Sequence, residues 1–533
     1  MEHLYNLTAS GDVVLSLLVF LPLFGALTLF LLPENNDSLA RSVSIFFSGA
    51  AFLVSLTLLK LFEVGTPQMQ FVEKVDWIPS LGVKYLLGVD GLSLWLIVLT
   101  TLLSLLVIFA STSITHRLRS YLGCMMLLET GMLGSFVALD GITFYMFYEL
   151  MLIPMYFLIG VWGGKRKVYA ALKFFIYTAL GSLLMLVAIV YLGWAHEQQF
   201  GRMSFYLGDW VNLRFGFLEE ILLFCAFGLA FSIKIPLFPL HTWLPDAHVE
   251  APTGGSVILA GVLLKLGIYG LIRFAMPVFP GAITYLAPAF VVLGVAGIVY
   301  GALVAWVQTD IKKLVAYSSV SHLGFCVLGL AALNMKGIQG SVLQMINHGI
   351  STGALFFLVG VLYDRKHTRL IADYGGLAQK VPMFAFVFMV FTLSSVGLPL
   401  TNGFIGEFLI LLGGFQYNPV AGAIAVSGVV LGALYMLSLY RRVIFGSFDE
   451  ERNGDLSDLN PREKLVFAPL LVLVFLIGLY PQPFLNRIEP TTRAVLDHVR
   501  KRTANPTSMV AQYPEWLKVS SGSTAQQLDV IEN

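Results

Sequence analysis

Apolar residues fall along this chain in runs of about twenty, the length at which a helix crosses a bilayer. About fourteen such runs stand out, near residues 12–33, 40–63, 88–112, 118–138, 141–162, 169–194, 219–240, 254–275, 282–306, 311–333, 338–361, 383–412, 422–446 and 464–482. Short polar connections separate them. The first run, near Val13 to Leu32, is long enough to span and stay, with no cleavable leader pattern. After Pro483 comes a polar tail with Arg500, Lys501 and Arg502. It predicts a short helix near Ala494–Val499, a flexible end and no further span. The pattern predicts an all-α, polytopic membrane protein.

One run is interrupted. The stretch FSIKIPLFPLHTWLPDAHVEAPTGGSVILAGVLLK (231–265) holds Pro236, Pro239, Pro245 and Pro252 between Lys234 and Lys265. Proline removes a backbone donor and breaks helical bonding. Broken backbone at membrane depth survives only where protein buries it or water lines it. A lysine on either side of such a break points to a polar cavity that handles ions or protons. A weak internal repeat accompanies it. ALKFFIYTALGSLLMLV (171–187) aligns with LQMINHGISTGALFFLV (343–359), and IPL at 235–237 with LPL at 398–400. Five helices separate the copies, so equivalent helices cross in opposite directions, as in transporters with inverted repeats.

Composition supports the membrane assignment and narrows the chemistry. The 533 residues are 57% hydrophobic and 12% charged, with a net charge of +1; the mean hydropathy is +0.80. Such a balance excludes a soluble protein and gives no reason to expect a nucleic-acid partner. Cys124, Cys225 and Cys326 are scattered, so zinc and iron–sulfur sites are not expected on this chain. Connections after odd-numbered helices carry roughly three times as many Lys and Arg as those after even-numbered helices. The even set is Lys74, Lys84, Arg202, Arg214, Arg273 and Lys336. The bias places the odd connections in the cytoplasm and both termini on the other side.

Charged side chains at bilayer depth cost at least about 2.5–3.5 kcal/mol each, so they persist with a role or a partner. Glu149, Lys234, Lys265, His322, His348 and Glu407 are candidates for proton transfer, with Glu129, Lys173, His241 and His248 as accessory candidates. Lys173 stands near a helix start, where snorkelling competes with function. A lone buried histidine is more often a core residue. However, His348 shares a helical face with Gln344, Ser351 and Thr352, and His322 has Ser318 one turn before it. Structural ion pairing is the competing reading for Glu149, Lys234, Lys265 and Glu407. His241 and His248 flank Asp246, but loop polarity explains this spacing better than a metal does. Gly254-Gly255 lacks the lysine and strand of a phosphate loop. Asp310, Lys312 and Lys313 mark a helix start.

Two unit charges about 4 Å apart at an effective dielectric of about 20 interact by roughly 4 kcal/mol. Moving or neutralising Glu149 therefore switches Lys234 between holding and releasing a proton. The released proton passes to Lys265, then through His322, His348 and waters to Glu407. Nothing in the chain binds a nucleotide, flavin or metal cluster, so the driver is a partner protein.

The stretch YELMLIPMYFLIGVWGGKRKVYAALKFFIYT (148–178), residues 231–274 and VGLPLTNGFIGEF (396–408) closely resemble the antiporter-like subunits of proton-pumping NADH:quinone oxidoreductase, respiratory complex I. The resemblance covers about residues 85–480, and it extends to subunits of multi-chain sodium/proton antiporters. It implies fourteen helices with two inverted five-helix repeats and broken helices 7 and 12. The corresponding division is 1–112, helices 1–3; 113–276, helices 4–8; 277–446, helices 9–13; 447–482, helix 14; and 483–533, the tail. It implies Glu149 and Lys234 as the input pair, Lys265 as the central lysine, His322 and His348 on the polar axis, and Glu407 as the output-side acid. Sister subunits usually carry lysine at that last position, so Glu407 favours the subunit M branch, whose mitochondrial counterpart is subunit 4. It implies no cofactor on this chain, with flavin, iron–sulfur clusters and quinone on partner subunits. Implied partners are the other complex I membrane subunits, the sister antiporter-like subunits and lipid. The tail and the absence of a leader suit a bacterial plasma membrane. The competing functions are a cation/proton antiporter subunit and a scaffold whose charges only hold helices together.

Overall fold

The computed structural model describes residues 13–33 and 36–504. Each predicted apolar run corresponds to helix. Among the described residues, ten helices are long and apolar enough to cross a membrane, including Val14–Leu31, Asp37–Leu61, Leu118–Val137, Gly141–Trp162, Lys167–Phe200 and Thr253–Val278. Pro280–Trp306, Ile311–Ala331, Met335–Lys366 and Pro419–Ile444 complete the ten. The other runs fold as the helices Leu94–Ala110, Phe217–Lys234, the pair Pro382–Val396 and Asn402–Tyr417, and Pro461–Leu479.

Local chemistry explains where these helices start and break. Asp310 caps Ile311–Ala331, its carboxylate accepting from the Lys312 and Lys313 amides at 2.7 and 3.1 Å, as the sequence indicates. Glu220 reaches across the fold to the amides of Gly281 and Ala282 at the start of Pro280–Trp306, 2.7 and 3.0 Å away. A carboxylate there also complements the helix dipole. The first break follows Lys234. Turns occupy residues 235–242, a short helix runs over Trp243–Glu250, and Pro252 opens the next helix at Thr253. The second break spans residues 397–401, with Gly397 at φ 79° and Leu400 at φ 77°.

Four expectations need correction. First, the chain is all-α apart from one hairpin, and the run near 88–112 does not open as helix. Strands β1 (Gln70–Ile78) and β2 (Val83–Val89) form an antiparallel hairpin, so the run near 88–112 begins in strand and turn before its helix starts at Leu94. Gly82, left-handed at φ 68°, turns the hairpin. Second, the tail holds a 22-residue helix, Gln482–Thr503, not a short one. It lies bent by 71° from Pro461–Leu479 and buries Phe484, Ile488, Val495, Leu496 and Val499. That apolar stripe, spread over nearly five turns and interrupted by Pro490, is too sparse to read as a span. The expected flexible end lies outside the described residues. Third, Arg273 is not in a connection. It is buried in Thr253–Val278 and pairs with Asp90 at 2.5 Å. Fourth, Lys336 stands in the first turn of Met335–Lys366.

Candidate functional site

The six main candidates fall into two groups: Glu149 and Lys234 beside the first break, and Lys265, His348, His322 and Glu407 in contact one after another. Lys234 ends the first half of the broken helix, and Glu149 stands just before the interruption of Gly141–Trp162 at Met151. The Lys234 ammonium sits 4.4 Å above the Tyr148 ring, a cation–π contact. Phe144, Tyr148 and Phe231 wall this pocket, with centroids 5.5–6.3 Å apart. Neither Lys234 Nζ nor Glu149 Oε1 has a hydrogen-bond partner among the described residues. Gly267 lets the next helix close on this end: a Cβ there would lie 2.6 Å from the Phe231 carbonyl oxygen.

Lys265 is fully buried and lies between two π-helical turns, Leu259–Leu263 and Leu271–Ala275. π turns recur where a helix is adapted to function. Its ammonium donates to the Ala260 carbonyl and to His348 Nδ1, the latter at 2.7 Å. The His348 and His322 rings meet edge-on with centroids 5.7 Å apart. His322 Nδ1 donates to Glu407 Oε1 at 2.8 Å, and Gln344 Nε2 donates to the same oxygen at 3.0 Å. Lys265, His348, His322 and Glu407 therefore form one buried file, with a single ring-to-ring step in its middle.

The accessory candidates divide. Lys173 pairs with Asp246 at 2.7 Å and donates to the Thr242 carbonyl, holding the short helix within the first break against Lys167–Phe200. Glu129 is buried away from this file and accepts from Ser48 at 2.8 Å. His241 packs among Phe238, Tyr300 and Tyr317. His248 stacks on Phe356 at 4.6 Å, and neither ring nitrogen has a hydrogen-bond partner among the described residues. Ser318 bonds the Val315 carbonyl rather than His322; Ser395 is the hydroxyl at His322 Nε2, 3.3 Å away.

Sequence reasoning missed the polar support behind Glu407. Asn347 donates to the Asn402 carbonyl at 2.7 Å, Ser394 donates to Asn402 Oδ1 at 2.6 Å, and Ser351 meets Ser394 at 2.6 Å. Asn347 was legible: it extends the Gln344–His348–Ser351 stripe by one helical position. Asn402 was legible only as a polar residue beside the second break.

A cavity of about 850 Å3 opens on the face that carries the basic connections. Lys165, Arg166, Lys312, Lys313 and Arg369 line it, and it reaches Thr253 and Gly254 at the start of the helix that carries Lys265.

This arrangement has relatives. Residues 138–432 match the transmembrane family described as NADH:quinone oxidoreductase/Mrp antiporter. The chain is 48% identical to NADH-quinone oxidoreductase subunit M of Rhodobacter capsulatus, over 90% of this chain and 95% of the relative. It is 43% identical to NADH-ubiquinone oxidoreductase chain 4 of Marchantia polymorpha, over 91% and 97%.

The chain belongs to the NADH:quinone oxidoreductase/Mrp antiporter family.

Its fold superimposes on a chain of respiratory complex I from Thermus thermophilus with a TM-score of 0.82 and 34% identity, covering 91% of this chain and 99% of that one. A chain of the Mrp complex from Dietzia sp. DQ12-45-1b shares the fold, with a TM-score of 0.76 at 20% identity over 97% of this chain and 58% of that one. The buried file and the two breaks lie within the matched residues 138–432.

Proposed function

We propose that this chain is a proton-translocating membrane-arm subunit of NADH:quinone oxidoreductase, in the subunit M branch. The observation that carries the reading is the file Lys265–His348–His322–Glu407, buried at the centre of an apolar bundle and built from groups that both hold and pass protons. Glu149 and Lys234 are the switch at one end. With few hydrogen bonds to lose, Lys234 responds to the charge of Glu149, and a change there alters the field at Lys265. The cavity above Thr253 supplies protons to Lys265. His348 and His322 relay them, and Glu407 receives them.

The two five-helix repeats, residues 113–276 and 277–446, supply one break each. NADH oxidation and quinone reduction, with their flavin, iron–sulfur clusters and quinone, belong to partner subunits, and sister antiporter-like subunits flank this one. The basic connections face the cytoplasm of a bacterium, with both termini on the opposite side of its plasma membrane. The test is Glu149→Gln and Lys234→Ala in the assembled complex. Both variants are expected to lower proton pumping and NADH oxidation together, because a blocked transfer stalls a tightly coupled redox step. Pumping that persists with electron transfer intact would leave the buried charges as scaffold.

A further inference from the structure

A pump needs its buried protons to reach one face at a time. The file at Lys265 approaches the cavity through the start of Thr253–Val278, and the other end of that helix points to the opposite face. Lys265, Tyr269 and Arg273 follow at intervals of four residues, so they lie along one side of the helix. Arg273 sits about 12 Å beyond Lys265 along the axis, at a rise of about 1.5 Å per residue. Without an obstacle, this ladder would be a second way out for the proton on Lys265.

The ladder is closed by its hydrogen bonds. The Tyr269 hydroxyl donates to the Phe136 carbonyl at 2.9 Å and accepts from Arg273 Nε at 3.2 Å. Its one proton is thus committed sideways, and its oxygen is covered. Arg273 in turn donates Nη2 to Asp90 at 2.5 Å. A guanidinium has five donors, no acceptor and no accessible neutral form, so it cannot take a proton from Tyr269 or a water. A fixed cation in a channel wall also repels an approaching hydronium, as arginines do in other selective pores. The pair is held rigidly. Asp90 Oδ1 also accepts from the amides of Leu92 and Ser93 at 3.1 and 3.2 Å, and both side chains are essentially inaccessible.

We propose that the buried Arg273–Asp90 pair is a proton barrier that seals the Lys265 file against the face opposite the cavity. The inference rests on the reading of Lys265 as a proton carrier.

The test uses the whole complex in liposomes, without NADH, under an imposed pH gradient followed by an entrapped pH dye. Arg273→Leu with Asp90→Leu removes both charges together, so no lone buried charge remains. Arg273→Gln with Asp90→Asn does the same at nearly constant volume. Either assembled double variant is expected to dissipate the gradient at least tenfold faster than the unmodified complex. Adding Lys265→Leu should return the leak to the unmodified rate. A merely structural pair would lower the amount of assembled complex without adding a leak. Two results overturn the barrier: an assembled double variant with no added leak, or a leak that survives Lys265→Leu. Pumping by Lys265→Leu alone would instead overturn the proposed function.

Discussion

The two broken helices handle buried charge in opposite ways. At the first, Lys234 and Glu149 keep polar atoms without hydrogen-bond partners among the described residues, and an aromatic ring is the main contact of the ammonium. At the second, Glu407 is held by His322 and Gln344, with Asn347, Asn402, Ser351 and Ser394 bonded behind it. A densely bonded buried network is rigid. Few direct bonds anchor the first site, so its charges are free to answer a neighbour or a water. Many anchor the second, so its carboxylate is a fixed destination. On the proposed function, this difference suits switching at the first break and reception at the second.

Lys265→Leu should have the largest effect, because it removes the group that joins the two regions. Proton transfer by the assembled complex in vesicles should fall more than tenfold; normal pumping would make the contrast between the breaks irrelevant to function. Glu407→Ala comes next. It strands the His322 and Gln344 donors, at about 1–3 kcal/mol for each unsatisfied buried group. A lowered midpoint of thermal dissociation should accompany a several-fold loss of pumping, whereas Glu407→Gln, which keeps an acceptor, should lose pumping with little loss of stability.

Lys234→Met sharpens the comparison from the other side. Pumping should again fall several-fold, but stability should change by less than about 1 kcal/mol. The variant loses only a cation–π contact and relieves a desolvated ammonium. If it destabilises the complex as much as Glu407→Ala does, the two regions do not differ in the way described. Ser394→Ala removes the bond to Asn402 and should cost about 1 kcal/mol, with pumping reduced about twofold. His248→Phe should do least. Its ring stacks on Phe356 without a hydrogen bond among the described residues, so pumping rates should stay within about twofold. A larger loss would place His248 in the proton route.

Much of the site is legible in the order of residues. Pro236, Pro239 and Pro252 mark the first break, and Lys234 and Lys265 stand on either side of it, as the backbone shows. Gln344, His348 and Ser351 form a stripe whose side is set by helical period alone. Less legible are elements whose pattern is weak over a short span. The hairpin has irregular register near Gln70 and Asp76, which blurs its alternation. The Gln482–Thr503 helix has a sparse apolar stripe and a proline inside it. Arg273 misleads because a charged residue near the end of an apolar run looks like the start of a connection.

What the amino-acid order determined by itself is where helices lie, where proline interrupts them, and that ionisable groups stand at membrane depth. These follow from local composition and from a period of 3.6 residues. Tertiary structure alone decided the partners. Lys265 meets His348 across 83 positions, His322 meets Glu407 across 85, and Arg273 meets Asp90 across 183. Periodicity tells which side of a helix is polar. It carries no information about how helices rotate and slide against each other, and that packing brings a lysine to a histidine or closes an arginine on an aspartate.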